Sequence, residues 1–454
     1  MASHSCTFCF SWQHCFKIPY FKIKIGLHNI PQISERLLQF IWLFRYFNAA
    51  NISTIDGKQI QVIHPGSLNH NQGPDFLEAK IKIENTLWIG NVELHIKSSD
   101  WLVHNHANDT NYENIILHAV WENDKTINGK NGETIPTIEL QRYIPKLMLW
   151  RYSELMQSQN FVACQQHLPA LSSVSWLAWK ERLLVERLQR KSIAIKQNID
   201  AANQHWEEVF WWQLASNFGI KVNAEAFLQI AKSIPISILA KHKSQIHQLE
   251  ALLFGQANLL NENFKEDYPQ LLQREYRFLK NKYQLQKLLI APAFLRMRPA
   301  AFPTIRLAQL AMLVKQSSHL FSLVKETKSI TEIKKLFDVS ANDYWNYHYL
   351  FDEPINFKQK NIGNQMIENI IINTVVPVLF AYGSVRNENS YKEKAINWLQ
   401  QLLPERNAIT KKWEMFGVEN ISAFDSQALI ELKNNYCRYK KCLDCTVGNK
   451  VLRM

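Results

Sequence analysis

The residues of this chain with the clearest chemistry are two acids and a short basic run. Asp75 stands in Gly73-Pro74-Asp75-Phe76, and Glu93 opens Glu93-Leu94-His95-Ile96-Lys97. Two carboxylates brought to one point suit a divalent cation, Mg²⁺ in the first place, because a hard ion takes oxygen ligands. A cation held in that way activates water and neutralises charge on a scissile phosphodiester. A basic side chain beside it, Lys97 or His95, would stabilise the negative charge that develops.

The elements around these residues have to bring them together. Phe76 to Glu84 alternates, with Ala79, Ile81 and Ile83 on one face and Lys80, Lys82 and Glu84 on the other. Glu84-Asn85-Thr86 turns the chain, and Leu87 to Lys97 returns. Side chains alternate along a strand. Val92, Leu94 and Ile96 therefore face inward, while Glu93, His95 and Lys97 share the opposite face, with Lys97 one pleat, about 7 Å, beyond His95. Two other readings compete: the three polar residues are the wet face of an edge hairpin, or His95 joins His64, His104 or His106 in a different metal site.

Upstream, Ser34 caps a helix over Glu35–Phe47, and a strand follows over Lys58–His64. Downstream, Ser98-Ser99-Asp100 starts a short helix carrying Trp101, His104 and His106. Strands follow over Asn114–Glu122 and Ile135–Leu140. Residues 31–145 thus read as an α/β domain around a central mixed sheet. From about Pro145 helical spacing takes over, as in Trp206, Phe210, Leu214 and Phe218, so residues 146–454 read as a large all-helical region. The expected class is α+β.

A second cluster closes the chain: Tyr436-Cys437-Arg438-Tyr439-Lys440-Lys441-Cys442-Leu443-Asp444-Cys445. Three thiols at this spacing need a fourth ligand to complete a metal site, and Cys164 is the other cysteine of the globular part. Four thiolates suit structural zinc or an iron–sulfur cluster, with three reduced, half-buried thiols as the plain alternative. The total of seven cysteines argues against a disulfide framework and for a reducing, cytoplasmic compartment.

The 454 residues carry 46% hydrophobic and 20% charged side chains, a composition that excludes collagenous, coiled-coil and disordered classes. The net charge of +12 favours polyanionic partners, nucleic acid above all. The most apolar run, Ile370 to Tyr382, is short and interrupted by Asn373 and Pro377, so it reads as a buried helix and no membrane is expected. Residues 1–30, with Cys6, Cys9 and Cys15, read as a poorly ordered extension or a start codon placed too early.

Pro74-Asp75, a hairpin, and then Glu93-x-His95 or Lys97 resemble the PD-(D/E)xK nuclease superfamily. That resemblance implies a restriction-endonuclease-like fold, metal-dependent cleavage of nucleic acid, and an accessory role for an acid on the preceding helix, here Glu35. The chain departs from the pattern at His95, which stands where the superfamily has lysine. More broadly, HPG, GPDF, GNVELHIKSSDW, ILHAVWEND, FGQAN, FPTIRLAQLA and the terminal KCLDC resemble a bacterial family, domain of unknown function 2851, over residues 33–454. That family implies no activity. The expectation is therefore a metal-dependent nucleic-acid phosphodiesterase, with a non-catalytic nucleic-acid-binding or scaffold protein as the alternative.

Overall fold

The computed structural model describes residues 33–130, 132–295 and 297–454; residues 1–30 with Cys6, Cys9 and Cys15 lie outside the described residues. The chain divides into two compact units, Met1–Ser158 with Leu452–Met454, and Gln159–Val451.

The first unit is mixed α and β. Helix α1 (Glu35–Phe44) starts where Ser34 accepts a hydrogen bond from the Leu37 amide, and it ends at Arg45 in the left-handed conformation. Its buried face carries Leu37, Leu38, Ile41 and Trp42, the apolar stripe legible in the sequence. Strands β1 (Ile60–His64), β2 (Ser67–Leu68), β3 (Phe76–Ile83), β4 (Thr86–Lys97), β5 (Ile115–Glu122) and β6 (Thr137–Glu139) form one sheet. Its order is β1-β3-β4-β5-β6, with β2 paired to β3. The first three strands of that path are antiparallel neighbours, and β5 and β6 add in parallel. The short helix α2 (Asp100–Val103) lies in the crossover between the parallel pair, and α3 (Lys146–Gln157) ends the unit.

The register places β4 at the centre, between β3 and β5, so the edge-hairpin reading of Glu93, His95 and Lys97 does not hold. Val92 and Leu94 are buried on one face, and Glu93 and His95 are just as buried on the other; only Lys97, at the strand's end, is exposed. The polar loop before β3 has structure of its own. Gly66 sits at φ +95°, and a Cβ there would come 2.8 Å from the Leu77 carbonyl. The Trp42 indole donates to the Pro65 carbonyl at 2.9 Å, which ties this loop to α1.

The second unit is helical. Its core gathers Leu184 and Leu188 of the helix Ser173–Ala201, then Phe210, Leu214 and Phe218 of Trp206–Phe218, and Leu307 and Leu310 of Pro303–Gln316. The apolar run read as a short buried helix belongs to a longer one. The continuous helix Asn364–Arg386 is long and apolar enough, by length and composition, to cross a membrane. Ile370, Ile371, Val375, Val376 and Leu379 of that helix pack into the core of this unit. A π-helical turn at Ile371–Val375 lets it continue through Pro377, whose missing N–H would otherwise break the α-helical ladder.

The two turn glycines of the first unit predict a contrast. Gly57 has φ +88° and open space around its Cα, so Gly57→Ala should cost only the left-handed backbone penalty, about 1–2 kcal/mol. Gly66→Ala adds the collision with Leu77 and should lower the melting temperature distinctly more, as thermal unfolding followed by circular dichroism would register.

Candidate metal centre

Asp75 and Glu93 meet through a reciprocal clasp. One Asp75 carboxylate oxygen accepts from the Leu94 amide at 3.0 Å, and one Glu93 carboxylate oxygen accepts from the Asp75 amide at 2.9 Å. The other Asp75 oxygen accepts from Gln39 of α1 at 2.7 Å. Asn69 holds the incoming loop by bonding to the Pro74 carbonyl at 2.9 Å, which fixes Asp75 at the head of β3. Burial raises the Asp75 carboxyl above its ordinary range, against the pull of its hydrogen bonds, and the charge of Glu35 adds to the rise. Burial also raises Glu93, and the charge of Asp75 adds to the effect. Two acids that hinder each other's ionisation mark a place where positive charge is missing.

Imidazoles stand on the other side of that pair. The second Glu93 oxygen lies 3.4 Å from His106 Nε2 and 3.6 Å from His95 Nε2. His95 Nε2 is 3.1 Å from His104 Nδ1, and His95 Nδ1 is 2.8 Å from His118 Nε2 on β5. One ring nitrogen from each of His95, His104 and His106 lies within 4.8 Å of the others. The backbone produces this cluster by a sharp turn: His104 closes α2, Asn105 takes φ +58°, and His106 begins the next turn. Asn tolerates the left-handed conformation at little cost. Tyr112 stacks on His106 with ring centroids 3.9 Å apart, and buried Trp101 packs edge-on against His95 and His106.

These distances fit a coordination shell. Ligands about 2.0–2.1 Å from one tetrahedral ion lie about 3.3–3.4 Å from each other. Three of the contacts lie near that scale: Glu93 to His106 at 3.4 Å, Glu93 to His95 at 3.6 Å and His95 to His104 at 3.1 Å. Burial, and then the neighbouring imidazoles, push His95 down to about 2 and His118 down to about 3. Both rings are therefore neutral at physiological pH, the state a metal requires of imidazole. His106 Nε2 is buried with no hydrogen-bond partner, as a ligand atom without its ion would be. With His95 Nε2 turned toward an ion, His95 Nδ1–H would donate to His118, which then orients the ligand from the outer shell. His104 is exposed and opens the cluster to solvent.

The sequence-derived candidates thus separate. Asp75, Glu93 and His95 come together. Glu35, half-buried on α1, is near enough for its charge to act on both acids. Lys97 lies at the exposed end of β4; its amide donates to Asp100 at 2.9 Å, and among the described residues no hydrogen bond or ion pair joins its ammonium to the acids. His64 accepts from the Gly66 amide within the β1–β2 turn instead of joining the cluster. His118 and Gln39 were not singled out by sequence. The available signal for His118 was a histidine inside the apolar run Ile115-Ile116-Leu117-His118-Ala119-Val120, where it is fully buried. Cys164, Cys437, Cys442 and Cys445 belong to the second unit and line one cavity there.

Residues 35–408 match the family described as Protein of unknown function (DUF2851). No curated protein and no solved structure matches the chain.

The raised carboxyls set a pH dependence. An acid whose pKa is higher in the folded than in the unfolded state stabilises the fold at low pH, and that contribution is lost as pH rises above the ordinary carboxylate range near 4. Metal-free protein should therefore lose stability from pH 5 to pH 8 through this pair. Glu93→Gln should flatten the loss, and added Mn²⁺ or Zn²⁺ should reverse it in the unsubstituted chain. Thermal melts at the two pH values check each outcome.

Proposed function

The chain belongs to the family described as Protein of unknown function (DUF2851), and for this member we propose a metal-dependent phosphodiesterase that acts on nucleic acid. One observation carries the reading: Asp75 and Glu93, clasped across β3 and β4, adjoin three imidazoles at ligand-like spacing, with one of the three open to solvent. The PD-(D/E)xK resemblance of the motif supports it. Pro74-Asp75 stands at the start of β3, Glu93-x-His95 lies in β4 of a mixed sheet, and Glu35 lies on the preceding helix. The net charge of +12 suits a polyanionic substrate.

In this reading Glu93, His95, His104 and His106 hold the ion, and Asp75 braces Glu93. Carboxylates alone favour Mg²⁺, but added imidazoles favour Mn²⁺, Fe²⁺ or Zn²⁺. Bound there, the ion would supply an activated water and neutralise charge on the phosphate. His95 is neutral and buried, so it serves as a ligand and leaves the role of cation to Lys97 at the rim, where an exposed ammonium meets phosphate oxygens. Glu35, whose charge reaches both acids, would serve as the accessory acid. His104 borders the path by which substrate enters.

Cleavage of plasmid DNA, oligodeoxynucleotides and RNA in the presence of Mn²⁺, Zn²⁺ or Mg²⁺ tests the proposal. Metal-dependent cleavage is expected. Glu93→Gln and His104→Ala should each lower it by at least roughly 100-fold, beyond the loss that outer-shell partners produce. Lys97→Ala should weaken it less. Binding of nucleic acid without cleavage under every metal would favour the non-catalytic alternative, and cleavage that persists in Glu93→Gln would remove the site assignment.

A further inference from the structure

The second unit contains a cluster that this function does not use. Cys164 sits in the loop ahead of the helix Ser173–Ala201, and the other three cysteines lie in the last turns of the chain. All four are free thiols, and Cys164, Cys442 and Cys445 are buried. Despite their separation in sequence, the four line one cavity together with Ala163, Tyr436, Lys441 and Gly448.

The backbone around the trio is wound tightly about that cavity. Cys437–Tyr439 forms a 3₁₀ turn closed by Lys440 at φ +50°, and the Lys441 amide returns to the Tyr436 carbonyl at 3.0 Å. Cys442–Asp444 forms a second 3₁₀ turn, and the Cys445 amide donates to the Cys442 carbonyl at 3.3 Å. Gly448 is pressed against this turn: a Cβ there would fall 2.1 Å from the Cys442 carbonyl oxygen, so no side chain fits. The amides of Val447 and Gly448 favour the thiolate of Cys445, and Lys433 and Lys440 favour those of Cys437 and Cys442. Against these, burial raises all four thiols; the charges of neighbouring cysteines add to the rise at Cys164, Cys437 and Cys442, and Asp444 adds to it at Cys445. Buried sulfurs that would repel one another as thiolates, set among amide donors and lysines, make an environment completed by a soft cation.

We propose that Cys164, Cys437, Cys442 and Cys445 hold a tetrathiolate metal centre, either one zinc ion or one iron–sulfur cluster, which ties Cys164 to the C-terminal turns of the second unit. Each thiol releases its proton to solvent on binding, and each sulfur donates a lone pair to the metal. No sulfur is oxidised. The centre would be structural: three of its four ligands are buried, and four thiolates leave a single ion no position for substrate.

The test uses the full chain, purified anaerobically from cells supplied with both iron and zinc. Elemental analysis and acid-labile sulfide assay should give one zinc per chain, or iron and sulfide in equal amounts with visible charge-transfer absorption. Titration with a mercurial of the full chain carrying Cys6→Ser, Cys9→Ser and Cys15→Ser should release that metal as the remaining four thiols are modified. Cys437→Ser and Cys164→Ser should each lose the metal and melt at lower temperature. His104→Ala should keep it, which separates this centre from the one in the first unit. Two results overturn the proposal: four thiols that titrate freely in protein lacking zinc and iron, or metal that the mercurial does not release.

Discussion

The reciprocal bond between Asp75 and Glu93 constrains everything else in the first unit. Each acid uses a backbone amide at or beside the other's position, so β3 and β4 cannot slip in register without breaking both bonds. The arrangement is costly. Burial raises both carboxyls and the charge of Asp75 raises Glu93 further, so ionising the pair weakens the fold. Burial prevents water from screening them. Among the described residues no lysine or arginine forms an ion pair with either acid, so in the proposed reading an ion supplies the positive charge.

The imidazoles define what that charge can be. Lysine or arginine would neutralise the acids and close the site as a salt bridge. Here the neighbours are His95, His104 and His106, with His118 behind, and burial, with the charge of neighbouring imidazoles, disfavours the cationic form of His95, His118 and His106. Neutral nitrogen donors beside buried carboxylates satisfy one another poorly but satisfy a divalent ion well. The stacked Tyr112 and the packed Trp101 keep the rings from rotating away. The same logic operates in the second unit with sulfur in place of nitrogen, where tight turns and a glycine with no room for a side chain bring four cysteines to one cavity.

Much of this was legible in the sequence, for reasons that are local. Ser34, the alternation through Ala79, Ile81 and Ile83, and the four-residue spacing through Phe210, Leu214 and Phe218 reflect hydrogen bonding and burial within single elements. The order of strands is not local. Nothing near Glu93 indicates that β5 will pair in parallel on its far side, or that Trp101, His104 and His106 will pack over the face that reads as wet. His118 is invisible for the same reason, since it contacts His95 only across that parallel pair. Glu93 and His95 could be grouped by alternation, and the same rule added Lys97, which lies at the exposed end of the strand, because a shared face does not ensure a shared depth. The buried helix at Ile370 to Tyr382 was read, but its full length through Pro377 was not, because a π turn is not written in any residue type. The convergence of Cys164 on the terminal trio could be posed as a question of ligand count, but only the fold of the second unit brings it there.

The central claim is that the acids and imidazoles of the first unit surround a metal ion. Anomalous diffraction from crystals grown with Mn²⁺ or Zn²⁺, recorded on both sides of the metal's absorption edge, tests it most directly. The account predicts a single peak in the first unit within coordination distance of Glu93, His95, His104 and His106. A map with no peak there, and with Glu93 hydrogen-bonded to imidazole around an ion-free centre, would contradict it.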